Sequence, residues 1–262
     1  MELEVLAQIP TGAVRPTPLL FVHGAWHAAW CWEHFLPYFA RHGYAAYALS
    51  LRGHGGSSGR EQIRWHSAAR GYVADLAQVV AQLPAAPVLI GHSMGGYVVQ
   101  KYLEARTAPA AVLLASVPVS GILGFAARHL LRHPWSFLKS QLLLEPRHLV
   151  ATPRLARDAF FSADLPAADL ARHFARLQGE SVRAELETML LSLPRPRADH
   201  PPVLVLGAER DRIFSVAEVR ATARAYGTTA EIFPGMAHDM MLEPRWQDVA
   251  DRIRAWLGER GL

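Results

Sequence analysis

The chain predicts an α/β fold: a mostly parallel sheet with helices on both faces. Three features point there. Short apolar runs recur at 18–23 (PLLFVH), 44–49 (YAAYAL), 87–91 (PVLIG), 110–116 (AAVLLAS), 202–207 (PVLVLG) and 229–233 (TAEIF). Each is bounded by Gly, Pro, Ser or His and is apolar throughout, as strands buried on both sides must be. Helical patterns separate several of them, at 69–83, 94–106, 216–226 and 244–258. Strand–helix alternation of this kind feeds parallel strands through crossover helices. The third feature is an interruption. Residues 119–198 contain no convincing strand and read as short helices near 121–132, 135–144, 153–161, 166–177 and 179–192.

Prolines 134, 146, 153, 166 and 194 punctuate that stretch, each ending or starting a helix because it lacks an N–H and fixes φ. The insert leaves the sheet at the carboxyl edge of the strands, where open α/β sheets bind ligands. It is therefore expected to form a cap, residues 119–198, on a core made of 1–118 and 199–262. Residues 3–9 (LEVLAQI) offer an antiparallel edge strand. There is no internal repeat and no low-complexity linker.

Composition narrows the function classes. The chain has 262 residues and 51% hydrophobic content, enough for one large core. No run of 18 apolar residues is present, so stable membrane insertion is not expected. The N-terminus lacks a basic-then-apolar secretory pattern. Cys31 is the sole cysteine, so an intramolecular disulfide and a cysteine-rich metal site are excluded. These features suit a cytoplasmic protein. The net charge is +4, and only Lys101 and Lys139 are lysines. The arginines are scattered and mostly sit near acidic residues, as in 251–260 (DRIRAWLGER), which reads as a solvated surface. No nucleic-acid motif occurs, and no nucleic-acid partner is expected.

Gly91-His92-Ser93-Met94-Gly95 lies between an apolar run (VLI) and a helical pattern (YVVQKYLE). A G-x-S-x-G pentapeptide in that setting is a strained strand-to-helix turn that lifts the serine hydroxyl above the sheet. Glycines fit because strand and helix backbones crowd there. A serine hydroxyl is a weak nucleophile at neutral pH and needs a base, which in turn needs an orienting carboxylate. Among thirteen histidines, His238 is favoured, in a glycine-containing loop (FPGMAHDMM) just past the last strand. His92 is expected to point away from the serine. For the acid, the loop after 202–207 (GAERDRIF) offers Glu209 and Asp211; Asp211 is deeper and precedes the apolar pair Ile213-Phe214. The oxyanion of a tetrahedral intermediate needs backbone N–H donors. Met94, after the nucleophile, supplies one, and Ala25, beside Gly24 in HGAWHAAWCW, the other.

With these residues, the chain resembles the α/β-hydrolase superfamily over essentially its whole length. The resemblance rests on His23-Gly24, Gly53–Ser57 (GHGGS), Gly91–Gly95, Asp211 and Gly235–His238. It implies the α/β-hydrolase fold, a Ser93–His238–Asp211 triad, an acyl-enzyme, no cofactor and no metal, and a helical lid that shapes the pocket. Residues 23–32 look like the branch containing plant methylesterases and hydroxynitrile lyases. The lyases carry threonine and lysine where this chain has Gly24 and Asp239, which argues against a lyase. GHGGSSG and GHSMGG also look like lysophospholipases and monoacylglycerol lipases. Haloalkane dehalogenases and epoxide hydrolases of this fold use Asp where Ser93 stands.

The expected function is hydrolysis of a carboxylic ester or thioester of a small to medium hydrophobic substrate. Pocket-lining candidates are Gly24, Trp26, Phe125, Leu131 and Phe137. The same triad would serve a C–C bond hydrolase, a lactonase or an amidase, and a slow-turnover ligand-binding protein is a further alternative. Arg128, His129, Arg132 and His133 either bind an acidic substrate or form a solvated face. Residues 122–138 mix Leu, Phe and Trp135 with Arg and His, as interfacial helices do; the preferred reading is that their apolar face lines the pocket. Oligomeric state is left open.

Overall fold

The computed structural model describes residues 1–262. Seven strands form one sheet: β1 (Val5–Gln8), β2 (Leu19–Val22), β3 (Ala46–Leu49), β4 (Val88–His92), β5 (Ala111–Leu114), β6 (Val203–Ala208) and β7 (Ala230–Phe233), in the order β1-β3-β2-β4-β5-β6-β7. Only β1 runs antiparallel, pairing Val5 with Leu49 and Gln8 with Ala46. All four residues of β2 are fully buried. Successive side chains of a strand point to opposite faces, so the sheet is covered on both.

The crossover helices follow the alternation. After β2 comes α1 (Phe35–Arg41), after β3 comes α2 (Val73–Gln82), and after β4 comes α3 (Met94–Leu103). Helix α1 has no forewarning in the pattern. Residues 26–39 are so rich in aromatic and other apolar groups that no 3.6-residue stripe stands out, and most of them are buried, Trp32, Phe35 and Phe39 completely. Between β5 and β6 the chain makes α4 (Leu123–Arg132), α5 (Pro134–Leu143), α6 (Pro153–Phe160), α7 (Ala167–Arg176) and α8 (Val182–Leu186). Pro134 and Pro153 open α5 and α6, where a missing N–H costs nothing. The segment expected as one helix over 179–192 breaks: α8 is short and passes into a wide π turn at Glu187–Leu191. Helices α9 (Val216–Ala225) and α10 (Trp246–Gly258) follow β6 and β7. Ser215 caps α9 in a reciprocal box with Glu218. No helix is long and apolar enough to cross a membrane.

This topology places the site. The chain steps from β2 out to β3, then returns past β2 to β4. Strand order therefore reverses at β2, and the loops leaving the carboxyl ends of β2 and β4 border one crevice.

Candidate active site

Ser93 sits where β4 turns into α3, with φ 51° and ψ −118°. A non-glycine residue in this region carries backbone strain of about 1–3 kcal/mol. The surrounding glycines make the turn possible. A Cβ on Gly95 would lie 2.2 Å from the Val22 carbonyl oxygen, and one on Gly91 2.5 Å from the Gly95 carbonyl oxygen. The helix thus packs directly on the strands. The Ser93 hydroxyl makes no hydrogen bond within the protein and lines a cavity with Ala25, Trp26, Met94, Phe125, Ile213 and Phe214.

His238 lies in the loop after β7, fully buried. Its Nδ1 donates to Asp211 Oδ2 at 2.8 Å. Asp211 follows β6, and its Oδ1 accepts the N–H groups of Ile213 (2.7 Å) and Phe214 (3.0 Å). The carboxylate is thereby fixed, and it fixes the imidazole tautomer. The Nε2 nitrogen is left without a hydrogen-bond partner. Burial works against the cation, yet Asp211, by charge and hydrogen bond, and then Asp239 hold the His238 pKa above its ordinary value. Glu209, the other candidate acid, accepts the Gly235 N–H at the surface.

Two residues that line the cavity, Met94 and Ala25, carry backbone N–H groups without an acceptor in the protein. Met94 opens α3, so its N–H has no intrahelical acceptor. Ala25 lies in the loop after β2 and its N–H donates to no protein acceptor. His23 pins that loop: Nδ1 donates to the Gly24 carbonyl at 2.8 Å and Nε2 accepts the Leu51 N–H at 3.0 Å. Burial holds the His23 pKa well below its ordinary value, which suits the accepting nitrogen. Gly24 lies against the nucleophile; a Cβ there would come within 2.9 Å of Ser93 Cβ and of His92 Nδ1.

Of the expected pocket residues, Trp26 and Phe125 line the cavity. Gly24 lies beside it and Phe137 packs against the core. Leu131 is 85% exposed and points away. The apolar residues of 122–138 divide: Ile122 and Phe125 face the cavity, whereas Leu130, Leu131, Trp135 and Leu138 face solvent. The basic insert residues are engaged elsewhere. Arg128 pairs with Glu218, His129 bonds Ser136, and Arg132 and His133 both reach Asp158.

Several positions at the candidate site escaped the sequence pattern. Glu180 and Glu185 line the cavity. Buried Glu180 meets His54 at 3.3 Å and accepts the Tyr72 hydroxyl at 2.9 Å. Burial, with the Glu180 charge adding, pushes the Glu185 carboxyl up to about 7, against a hydrogen bond from Gln141. The His92 side chain is itself engaged: its Nε2 donates to the His238 carbonyl at 3.1 Å. No local signal marks these pairings, which join residues 54 to 180 or 92 to 238. The groups closest to metal-ligand spacing are His92, His238 and Asp239. Nδ1 of His238 and Nε2 of His92 are committed as hydrogen-bond donors, and the free Nε2 of His238 is the nitrogen that faces no partner within the protein.

The sheet topology, the strained serine turn and the His–Asp pair define one class of protein. The model of the alpha/beta hydrolase family matches residues 19–252, and the chain belongs to that family. A monoacylglycerol lipase of Mycolicibacterium smegmatis is 25% identical, over 91% of this chain and 87% of its own length. Among solved structures, a putative non-heme bromoperoxidase, BpoC of Mycobacterium tuberculosis, superposes with a TM-score of 0.77 at 21% identity, covering 99% of this chain and 97% of its own. An esterase from Exiguobacterium antarcticum gives a TM-score of 0.77 at 15% identity, covering 98% and 95%. At these identities the structural neighbours establish the fold.

Proposed function

We propose that the protein is a serine hydrolase that cleaves a carboxylic ester, or thioester, of a small to medium hydrophobic acyl group. One observation carries this reading. His238 is held at Nδ1 by Asp211 at 2.8 Å and keeps a free Nε2, while the unpaired Ser93 hydroxyl lines a mainly apolar cavity. The esterase and lipase names among the relatives agree with it.

Ser93 Oγ attacks the ester carbonyl carbon while His238 Nε2 takes its proton. Asp211 stabilises the resulting imidazolium without taking the proton. The N–H groups of Met94 and Ala25 hold the oxyanion. Collapse expels the alcohol, which receives the proton from His238. Water then enters by the same steps in reverse and releases the acid. Residues 119–198 act as a lid on the core formed by 1–118 and 199–262. No cofactor takes part. The cytoplasm suits the buried free thiol of Cys31.

Hydrolysis of p-nitrophenyl esters from acetate upward tests the reading. Wild type turns them over, and Ser93→Ala loses about three orders of magnitude or more in kcat. Absence of turnover on every ester would overturn it.

A further inference from the structure

A second carboxylate lies behind the proposed base, and the mechanism above does not use it. Asp239 is fully buried. Its Oδ2 lies 3.0 Å from His27 Nε2 and its Oδ1 3.6 Å from His92 Nε2. The His27 contact is at ion-pair distance, between two side chains that are both buried. His27 Nδ1 reaches the Ala25 carbonyl at 2.8 Å. His92 Nε2 reaches the His238 carbonyl at 3.1 Å. The Asp239 N–H donates to Phe160 at the end of α6, 3.0 Å away.

A buried carboxylate carries a desolvation cost that an apolar residue of the same volume does not. Its placement indicates what offsets that cost. The three residues belong to different segments of the proposed site, His27 and Asp239 in loops and His92 at the end of β4. Ala25 carries a proposed oxyanion donor, His92 precedes the nucleophile, and Asp239 follows the base. We propose that Asp239, with His27 and His92, forms a buried positioning unit that holds these three segments in one register. This rests on the serine-hydrolase reading of Ser93, His238 and Asp211.

The unit also carries charge. The groups facing His238 are Asp211 from the loop after β6, Asp239 from its own loop and His92 from the end of β4; the Phe160 and Phe214 rings complete its surroundings. Asp239 itself feels His27, His92 and His238 closely, with Cys31, His173 and Glu243 further out. The His92 pKa is pushed down to about 3, first by burial and next by the His238 charge. His92 is therefore neutral at working pH and contributes geometry, whereas Asp239 contributes geometry and charge.

Asp239→Asn keeps the shape and removes the charge. The expected result is a kcat lower by about 10- to 100-fold, with KM within about twofold of wild type. The acidic limb of kcat/KM, which reports neutral His238 in the free enzyme, moves to lower pH by about half a unit or more. His27→Leu gives a comparable kcat loss, His27→Gln recovers part of it, and the Asp239→Asn/His27→Leu double variant is no worse than either single one. A fluorophosphonate probe supplies a readout that needs no ester. Ser93 Oγ bonds to phosphorus, fluoride leaves and His238 takes the proton, so the labelling rate follows the same pH limb. Final labelled fraction reports intact protein. Were wild type to label but cleave no ester, the ester reading would fall, while the shift of the labelling limb would still decide the positioning unit. An unmoved limb, or loss explained wholly by a smaller labelled fraction, overturns the proposal. Should Asp239→Asn not fold, the His27→Leu and His27→Gln pair decides by the same labelling rates: equal rates in both overturn it.

Discussion

At the scale of single residues, the visible part of the site is the part with a local signature. Ser93 is announced by its glycines, because each glycine answers a backbone that a Cβ would strike. Asp211 and His238 are announced by position, in loops that leave strands at the sheet's carboxyl edge. The His27–Asp239–His92 cluster has no such sign, since its members meet only after three segments fold together. The glycines differ in a way that can be measured. A Cβ on Gly24 meets side-chain atoms of His92 and Ser93 at 2.9 Å, which can shift slightly, whereas a Cβ on Gly95 meets the Val22 carbonyl at 2.2 Å, which cannot. Gly24→Ala is expected to fold with a stability loss of about 1–3 kcal/mol and reduced activity, since the displaced atoms include those of the serine. Gly95→Ala is expected to lose more, to the point of yielding little folded protein. Thermal unfolding of the two variants beside wild type checks the order; equal Tm values would contradict it.

At the scale of elements, patterns with a clean period were legible and crowded or broken ones were not. Strands β2 and β5, buried on both faces, lie within the apolar runs, and β4 and β6 pass the ends of theirs by one residue. Helix α1 was hidden by aromatic density, and the 179–192 segment by a π turn that no propensity marks. That segment brings Glu185 to the cavity. In the unfolded chain Glu185 ionises near its ordinary value of 4.5, but in the fold it holds its proton up to about 7, chiefly through burial and secondarily through Glu180. Between these values the unfolded chain has released a proton that the folded chain keeps. The stabilising contribution of the neutral carboxyl is thus complete below about pH 4.5 and is lost as pH rises through 7. Glu185→Gln has no such proton to lose. Its stability relative to wild type should rise across that window, by on the order of 2 kcal/mol at pH 8. Denaturant titrations at pH 4.5, 6 and 8 measure the difference; parallel profiles for the two proteins would show that Glu185 titrates normally.

At the scale of the whole molecule, the core and the insert set different limits on the chemistry. The sheet carries the proposed reacting groups, whereas the insert supplies Phe125, Leu149, Glu180 and Glu185 to the cavity wall. The cavity against Ser93 has a volume of about 50 Å³. One water needs about 10–15 Å³ of such space, so the cavity as it stands admits an acyl group of only a few heavy atoms. Each further methylene must displace the insert or pack outside it. Displacement exposes the apolar wall, at roughly 0.8 kcal/mol per methylene-sized area returned to water. A longer acyl chain recovers that only by burying its own surface against the same wall. Because the recovery offsets only part of the cost, kcat/KM is expected to be greatest for acetyl and propionyl esters and to fall from butyryl onward by at most about fourfold per added methylene, the factor that 0.8 kcal/mol represents. A p-nitrophenyl ester series read at low substrate concentration gives the profile directly. An optimum at octanoyl or longer would mean that the insert stands open before substrate arrives, and that the closed cavity is not the form that selects it.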